Sequence, residues 1–235
     1  MRRPEPRRVQ DSCAARRGAR RPLRVLISAG PTREPIDPVR FLSNYSTGYL
    51  GSCLTREALR RGHRVTLVSG PTAMLPPRRA RVVWVERAQD MQAALRRQMP
   101  QADVLIMAAA VCDFQAARSR HAKLPRWGRL ALSLKATPDI VGNLSRRQGQ
   151  LVVGFSLETS RWLAHARAKL HHKRLDLIVA QHANGTGSPF GERPVQACLL
   201  DTRGRAKPLG RLSKPQLSRA VFDAIERRWD EKERS

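Results

Sequence analysis

The sequence predicts an α/β protein: a three-layer, Rossmann-like, mostly parallel sheet with helices on both faces, plus a late antiparallel hairpin. Three observations carry this. LRVLISAG (23–30), HRVTLVSG (63–70) and ADVLIMAAA (102–110) are continuous apolar runs, the pattern of strands buried on both faces. Helical stretches closed by Gly62 and by Pro100 separate them. The second half then repeats the alternation of apolar strand and helix, which favours a parallel sheet covered on both sides.

The elements follow in order. Residues 1–22 hold eight arginines against Glu5 and Asp11 and almost no periodic apolar positions, so a disordered basic extension is expected, with one domain over 23–235. After the first strand comes a loop of about nineteen residues, GPTREPIDPVRFLSNYSTG (30–48), then a helix from about Thr47 to Arg61. ARVVWVE (80–86) is a third strand, and a helix spans about 88–98. Residues 114–130 show no clear pattern. Thr137, Pro138 and Asp139 have the order of a helix start, with a hydroxyl cap, proline at the first position and an acid in the first turn; they predict a helix to about Arg147. LVVGF (151–155), a helix near 160–173 and LDLIVA (175–180) come next. A Gly/Ser/Pro loop at 184–194 leads to VQACLLD and a turn at Thr202–Gly204, read as the hairpin. Ser213 should cap a last helix that places Leu217, Val221, Phe222 and Ile225 on one side.

Composition narrows the function classes. No apolar run approaches the roughly 20 residues of a membrane span, and MRRPEPRR lacks the apolar segment of a secretory signal, so a cytoplasmic protein is expected. Cys13, Cys53, Cys112 and Cys198 form no C-x-x-C pair, and His171 and His172 are adjacent and so face different sides of a helix; no protein-built metal site is expected. The formal charge of +26 raises the possibility of a nucleic-acid partner, but beyond the first 22 residues it is scattered, with no stripe of aromatic and basic side chains to stack bases.

Ligands in parallel α/β sheets bind outside the carboxyl ends of the strands. The loop 30–48 lies there and is too long for a dinucleotide fingerprint, which turns within a few residues of its strand. It brings Ser43, Asn44, Ser46, Thr47 and Gly48 to a helix start, where free N–H groups and the positive dipole end suit a phosphate or carboxylate. The plainer alternative is that Ser46 or Thr47 merely caps the helix. The length of the loop, against a usual four to six residues, favours a site.

AGPTREPIDPVRFLSNYSTGYLG, followed by VTLVSGP, MAAAVCDF, TPDIVGNL, VVGFSLET and KLHHKRLDLIVA in that order, resembles phosphopantothenoylcysteine synthetase over about residues 24–230. The resemblance implies a cytoplasmic ligase of coenzyme A biosynthesis, a homodimer, that joins 4′-phosphopantothenate to L-cysteine using CTP and Mg²⁺ through an acyl-cytidylate. In most bacteria this domain is the carboxyl half of a bifunctional protein. The short stretch before it here implies a stand-alone synthetase with a separate flavin-dependent decarboxylase. By the same resemblance Asn44 contacts the pantothenate part and serves turnover of the intermediate, and Arg40 reaches substrate across a dimer interface. Gly30, Ser46, Thr47 and Gly48 line the phosphate end. Asp113 belongs to the nucleotide site, and Lys123 sits on a mobile flap as a catalytic and nucleotide-binding cation. Thr137, Pro138, Asp139 and Ile140 match a nucleotide motif, Phe155 matches the nucleotide-binding aromatic of the strand-end VVGF, and Lys169 and Lys173 attend the triphosphate. Without the resemblance, that lysine pair reads as a solvated helix face.

Two positions depart from the family. Tyr49 stands where a lysine is frequent, and Thr137 where asparagine is frequent, which bears on the choice between CTP and ATP. The competing classes are a non-catalytic nucleotide- or dinucleotide-binding protein and a basic nucleic-acid-binding protein. Arg40, Asn44 and Lys123 together favour catalysis over either.

Overall fold

The computed structural model describes residues 21–126, 128–183 and 189–234. Almost all of the expected basic extension, and part of the loop at 184–194, lie outside them.

An eight-stranded sheet forms the centre. Its strands are β1 (Arg24–Ala29), β4 (Arg64–Ser69), β5 (Arg81–Trp84), β6 (Val104–Met107), β9 (Leu151–Glu158), β10 (Leu177–His182), β11 (Val195–Asp201) and β12 (Ala206–Leu212), in the spatial order β12-β11-β10-β9-β6-β1-β4-β5. The pairs from β10 to β5 are parallel, whereas β10–β11 and β11–β12 are antiparallel. The late hairpin thus extends one edge. From β1 the chain moves outward through β4 and β5, then returns to place β6 on the other side of β1. Such a reversal opens a crevice at the carboxyl ends of the strands.

Four helices cover the faces: α1 (Tyr49–Arg60), α2 (Ala88–Gln98), α3 (Trp162–His172) and α4 (Lys214–Glu233). Alternate strand residues point to opposite sides. Val25, Ile27 and Val153 pack with Leu54 of α1 and Leu217 and Phe222 of α4. Leu26, Leu105 and Ile178 pack with Met91 and Leu95 of α2 and Leu170 of α3. The apolar side expected of the last helix is fully buried, and Ser213 caps that helix by accepting from the Gln216 N–H. The α1 helix lies unusually close to β1, because a Cβ at Gly51 would come within 2.3 Å of the Ala29 Cβ. Only glycine lets the two backbones approach so far.

Two expectations are corrected. No helix forms over 137–147: the Asp139 carboxylate accepts the Gly142 N–H, the Asn143 N–H bonds the Asp139 carbonyl, and the chain makes a turn only. Gly142 disfavours a helix there, by about 1 kcal/mol relative to alanine. Arg146 instead fastens the segment by donating to the carbonyls of Lys173 and Arg174. The unpatterned region also has structure, for β7 (Phe114–Ala116) pairs antiparallel with β8 (Leu134–Ala136), while β2 (Arg33–Pro35) and β3 (Phe41–Ser43) form a small hairpin inside the long loop.

Candidate functional site

A cleft of about 640 Å³ opens at the carboxyl end of the sheet. Its floor is the segment that leaves β6, residues 108–111, together with Gly154 and Phe155 of β9. One main-chain carbonyl and two side chains fix that floor. Gly30 accepts the Ala110 N–H through its carbonyl, the Thr32 hydroxyl oxygen accepts the Cys112 N–H, and the Asn44 Nδ2 donates to the Ala110 carbonyl at 2.9 Å. Asn44 lines the cleft, and its carboxamide oxygen accepts no hydrogen bond among the described residues. It can therefore meet a donor on a bound molecule without adding charge.

At the start of α1 the capping alternative fails. The Ser46 hydroxyl accepts the Gly48 N–H and the Thr47 hydroxyl accepts the Tyr49 N–H, each two residues on, while the cap position belongs to Gly48. Gly48 adopts φ +76, a left-handed conformation, and no side chain caps the helix. Ser46, Thr47 and Tyr49 face the cleft; Gly30 and Gly48 shape its rim through backbone and do not line it.

The opposite wall carries the expected nucleotide residues. Thr137 does not cap a helix: its hydroxyl donates to the Cys112 carbonyl at 2.7 Å and its N–H to the Asp113 carbonyl, which sets Thr137–Ile140 beside Asp113 in the cleft wall. The Lys173 ammonium donates to Asp139 at 2.7 Å. Partial burial opposes ionisation of Asp139, yet that ammonium and the Gly142 N–H overcome it and hold the carboxyl below its usual range. The Lys169 Nζ donates to the Phe155 carbonyl at 3.1 Å. Lys169 is exposed as a residue, yet it lines the cleft, and loss of water, reinforced by the charge on Lys173, pushes its pKa below the usual lysine value. Both lysines thus line the cleft.

Two predicted residues lie elsewhere. The Arg40 guanidinium donates to the buried Asp37 carboxylate and, at 2.7 Å, to the Leu124 carbonyl, while the Leu124 N–H donates to Asp37. Arg40 and Asp37 therefore clamp the base of the segment that carries Lys123. Lys123 itself is exposed, and neither it nor Arg40 lines the cleft of this chain.

The sequence reading missed Gln181, on β10, and Lys214, at the first position of α4, both of which line the cleft. Lys214 carried a signal. A cation at a helix start opposes the dipole, so a lysine directly after the Ser213 cap is electrostatically out of place.

Fold and site together define a doubly wound α/β domain with a polar, cation-bearing cleft at the carboxyl ends of its strands. The family model described as the DNA/pantothenate metabolism flavoprotein C-terminal domain matches residues 21–228, and the chain belongs to that family. It is 40% identical over 182 residues to a cysteine/cysteine sulfinic acid decarboxylase of an unknown prokaryotic organism, covering 76% of this chain and 51% of that protein. To the coenzyme A biosynthesis bifunctional protein CoaBC of Mycobacterium tuberculosis (strain ATCC 25618 / H37Rv) it is 39% identical over 216 residues, covering 86% and 51%. The chain thus spans about half the length of these curated relatives. Among solved structures, the crystal structure of the C-terminal domain of a coenzyme A biosynthesis bifunctional protein CoaBC superposes with a TM-score of 0.76 at 34% identity, covering 91% of this chain and 98% of that one.

Proposed function

We propose that the chain is a phosphopantothenate–cysteine ligase that uses CTP. The observation that supports it most is the convergence, in one cleft, of Asn44 with Asp113, the Thr137–Ile140 turn and the Lys169/Lys173 pair. A carboxylate does not react with an amine at neutral pH and needs phosphoryl activation, which calls for positioning and charge neutralisation more than for an enzyme nucleophile.

In the first step a carboxylate oxygen of 4′-phosphopantothenate attacks the α-phosphorus of CTP. The new O–P bond replaces the bond to the bridging oxygen, and pyrophosphate leaves. Lys169 and Lys173 offset the charge that gathers on the phosphates. In the second step the cysteine nitrogen attacks the acyl carbon, the C–O bond to CMP breaks, and the amine proton is lost to water. Asn44 orients the acyl group at the floor of the cleft. Magnesium would come with the nucleotide and offset phosphate charge, and Asp113, which presents an exposed carboxylate to the cleft, would help to hold it. Pairing of two chains would let Arg40 and Lys123 serve a partner's cleft, and a flavin-dependent decarboxylase would act on the product.

The test is incubation with 4′-phosphopantothenate, cysteine, Mg²⁺ and each nucleoside triphosphate in turn. The expected result is pyrophosphate release and the cysteine adduct, fastest with CTP; no turnover with any triphosphate defeats the reading, and faster turnover with ATP reverses the nucleotide assignment. Asn44→Asp should slow amide formation more than pyrophosphate release.

A further inference from the structure

The cleft has a second cationic wall, unconnected with Lys169 and Lys173. Lys169 stands on α3, which covers one face of the sheet, and Lys173 directly follows that helix, while Lys214 begins α4, which covers the other. Lys214 is 4% exposed, lies in the same cleft as Ser46, Thr47 and Tyr49, and donates its ammonium to the Pro189 carbonyl at 3.1 Å. No carboxylate among the described residues pairs with it. Gln181, 6% exposed, also lines the cleft, and its buried Nε2 has no hydrogen-bond partner among the described residues.

Each of these features disfavours the empty protein. A buried ammonium without a counter-ion loses hydration, a cation in the first turn opposes the helix dipole, and a buried amide N–H₂ without an acceptor forfeits the hydrogen bond it had in water. An anion entering between them reverses all three effects at once. Loss of hydration already holds the Lys214 ammonium below the usual lysine pKa.

We infer that Lys214, with Gln181, is a second anion-binding pole of this cleft, and that it takes the phosphate monoester of the acyl substrate while Lys169 and Lys173 take the nucleotide. This rests on the ligase reading, in which two phosphorylated molecules share one cleft. Like charges repel, so the two must be held by separate cations. The reacting carboxylate lies at the far end of the acyl substrate from its phosphate, which suits poles on opposite faces of the sheet.

Steady-state kinetics of Lys214→Met, which keeps most of the apolar stem, tests the inference. The KM for 4′-phosphopantothenate should rise ~10-fold or more, as expected for loss of a charge-assisted contact, with kcat and the KM for CTP changed by less than about 2-fold. Lys214→Arg should recover part of the loss. A KM for CTP that rises as much as or more than that for phosphopantothenate, or no change in either, overturns the assignment. Should Lys214→Met not fold, Gln181→Met takes its place, with a smaller change in the same direction expected and the same refuting outcomes. If the wild-type protein does not turn over, the ligase reading has failed, and calorimetry separates the two questions. Wild type should still bind 4′-phosphopantothenate more tightly than pantothenate, and Lys214→Met should abolish that preference. An equal preference in both proteins overturns the pole.

Discussion

Asp103→Asn should lower stability without touching the cleft. Asp103 immediately precedes β6, at the opposite end of the sheet, and is fully buried. Its carboxylate accepts the Arg24 N–H at 2.8 Å, an Arg24 guanidinium N–H at 2.9 Å and an Arg147 N–H at 3.1 Å, so one side chain ties β6, β1 and the approach to β9 together. Burial opposes its ionisation, but the hydrogen bonds from Arg24 overcome this and bring the pKa from 3.8 down to about 2. A shift of about 2 units corresponds to about 2.5 kcal/mol at neutral pH, at about 1.4 kcal/mol per unit. The guanidinium partners are about half exposed, and solvent screening reduces this to about 1–2 kcal/mol. Because the folded pKa is depressed, the stabilisation is complete above the unfolded pKa near 4 and disappears as the pH falls toward about 2. Asparagine keeps an acceptor but turns an N–H₂ toward the arginine donors. Urea unfolding of both proteins at steps from pH 7 to pH 3 should show a gap of about 1–2 kcal/mol at pH 7 that narrows below pH 4. A gap that is absent at pH 7, or that stays constant down to pH 3, refutes this account.

Gly51→Ala should cost about 1–3 kcal/mol, since its Cβ would lie 2.3 Å from the Ala29 Cβ and α1 would have to move off β1; thermal unfolding reads this as a fall of several degrees, and an unchanged midpoint would mean that the close approach is not needed. Lys173→Met removes a cation from the nucleotide wall and leaves the partly buried Asp139 without its partner, so the KM for CTP should rise about 10- to 100-fold, as for a lost contact of about 1.5–3 kcal/mol. Initial rates at varied CTP check this, and a larger effect on the KM for 4′-phosphopantothenate would contradict the placement of the triphosphate.

Much of the fold was legible because burial writes itself as periodicity. A strand covered on both faces must be apolar at every position, as VLIM of β6 is, and the 3.6-residue spacing of Leu217, Val221, Phe222 and Ile225 admits one buried helix side. The failure at 137–147 has the same physical root. Local signals at Thr137–Asp139 favoured a helix, but each was taken by another partner: the Thr137 hydroxyl by the Cys112 carbonyl and the Asp139 carboxylate by Lys173 and Gly142. Cys112 lies 25 residues from Thr137 and Lys173 lies 34 residues from Asp139, distances that local pattern does not reach. The small hairpins β2–β3 and β7–β8 were invisible for a related reason, their strands being three residues long, too short for an alternation to mark them. Within the cleft, Asn44 and the lysine pair were found through an ordered set of motifs. Lys214 and Gln181 belong to none, and their burial became evident only once α4 and β10 were placed against the same cavity.

The charge of +26 and the cleft act over different ranges. Charges scattered over an exposed surface are screened within about 8 Å at physiological salt, so they can draw phosphorylated molecules toward the protein but cannot choose a pose for them. Selection has to come from cations that water does not surround. Lys214, almost wholly buried, meets that condition; Lys169 is exposed as a residue, but loss of water lowers its pKa too, and each donates to a main-chain carbonyl, of Pro189 and of Phe155, with no carboxylate among the described residues pairing with it. Lys173 differs, because Asp139 already holds it in an ion pair. On the proposed ligase reading, an incoming triphosphate would meet one lysine without a carboxylate partner and one that must be shared with Asp139. That asymmetry would set the two lysines apart as phosphate ligands, a distinction that net charge alone cannot impose.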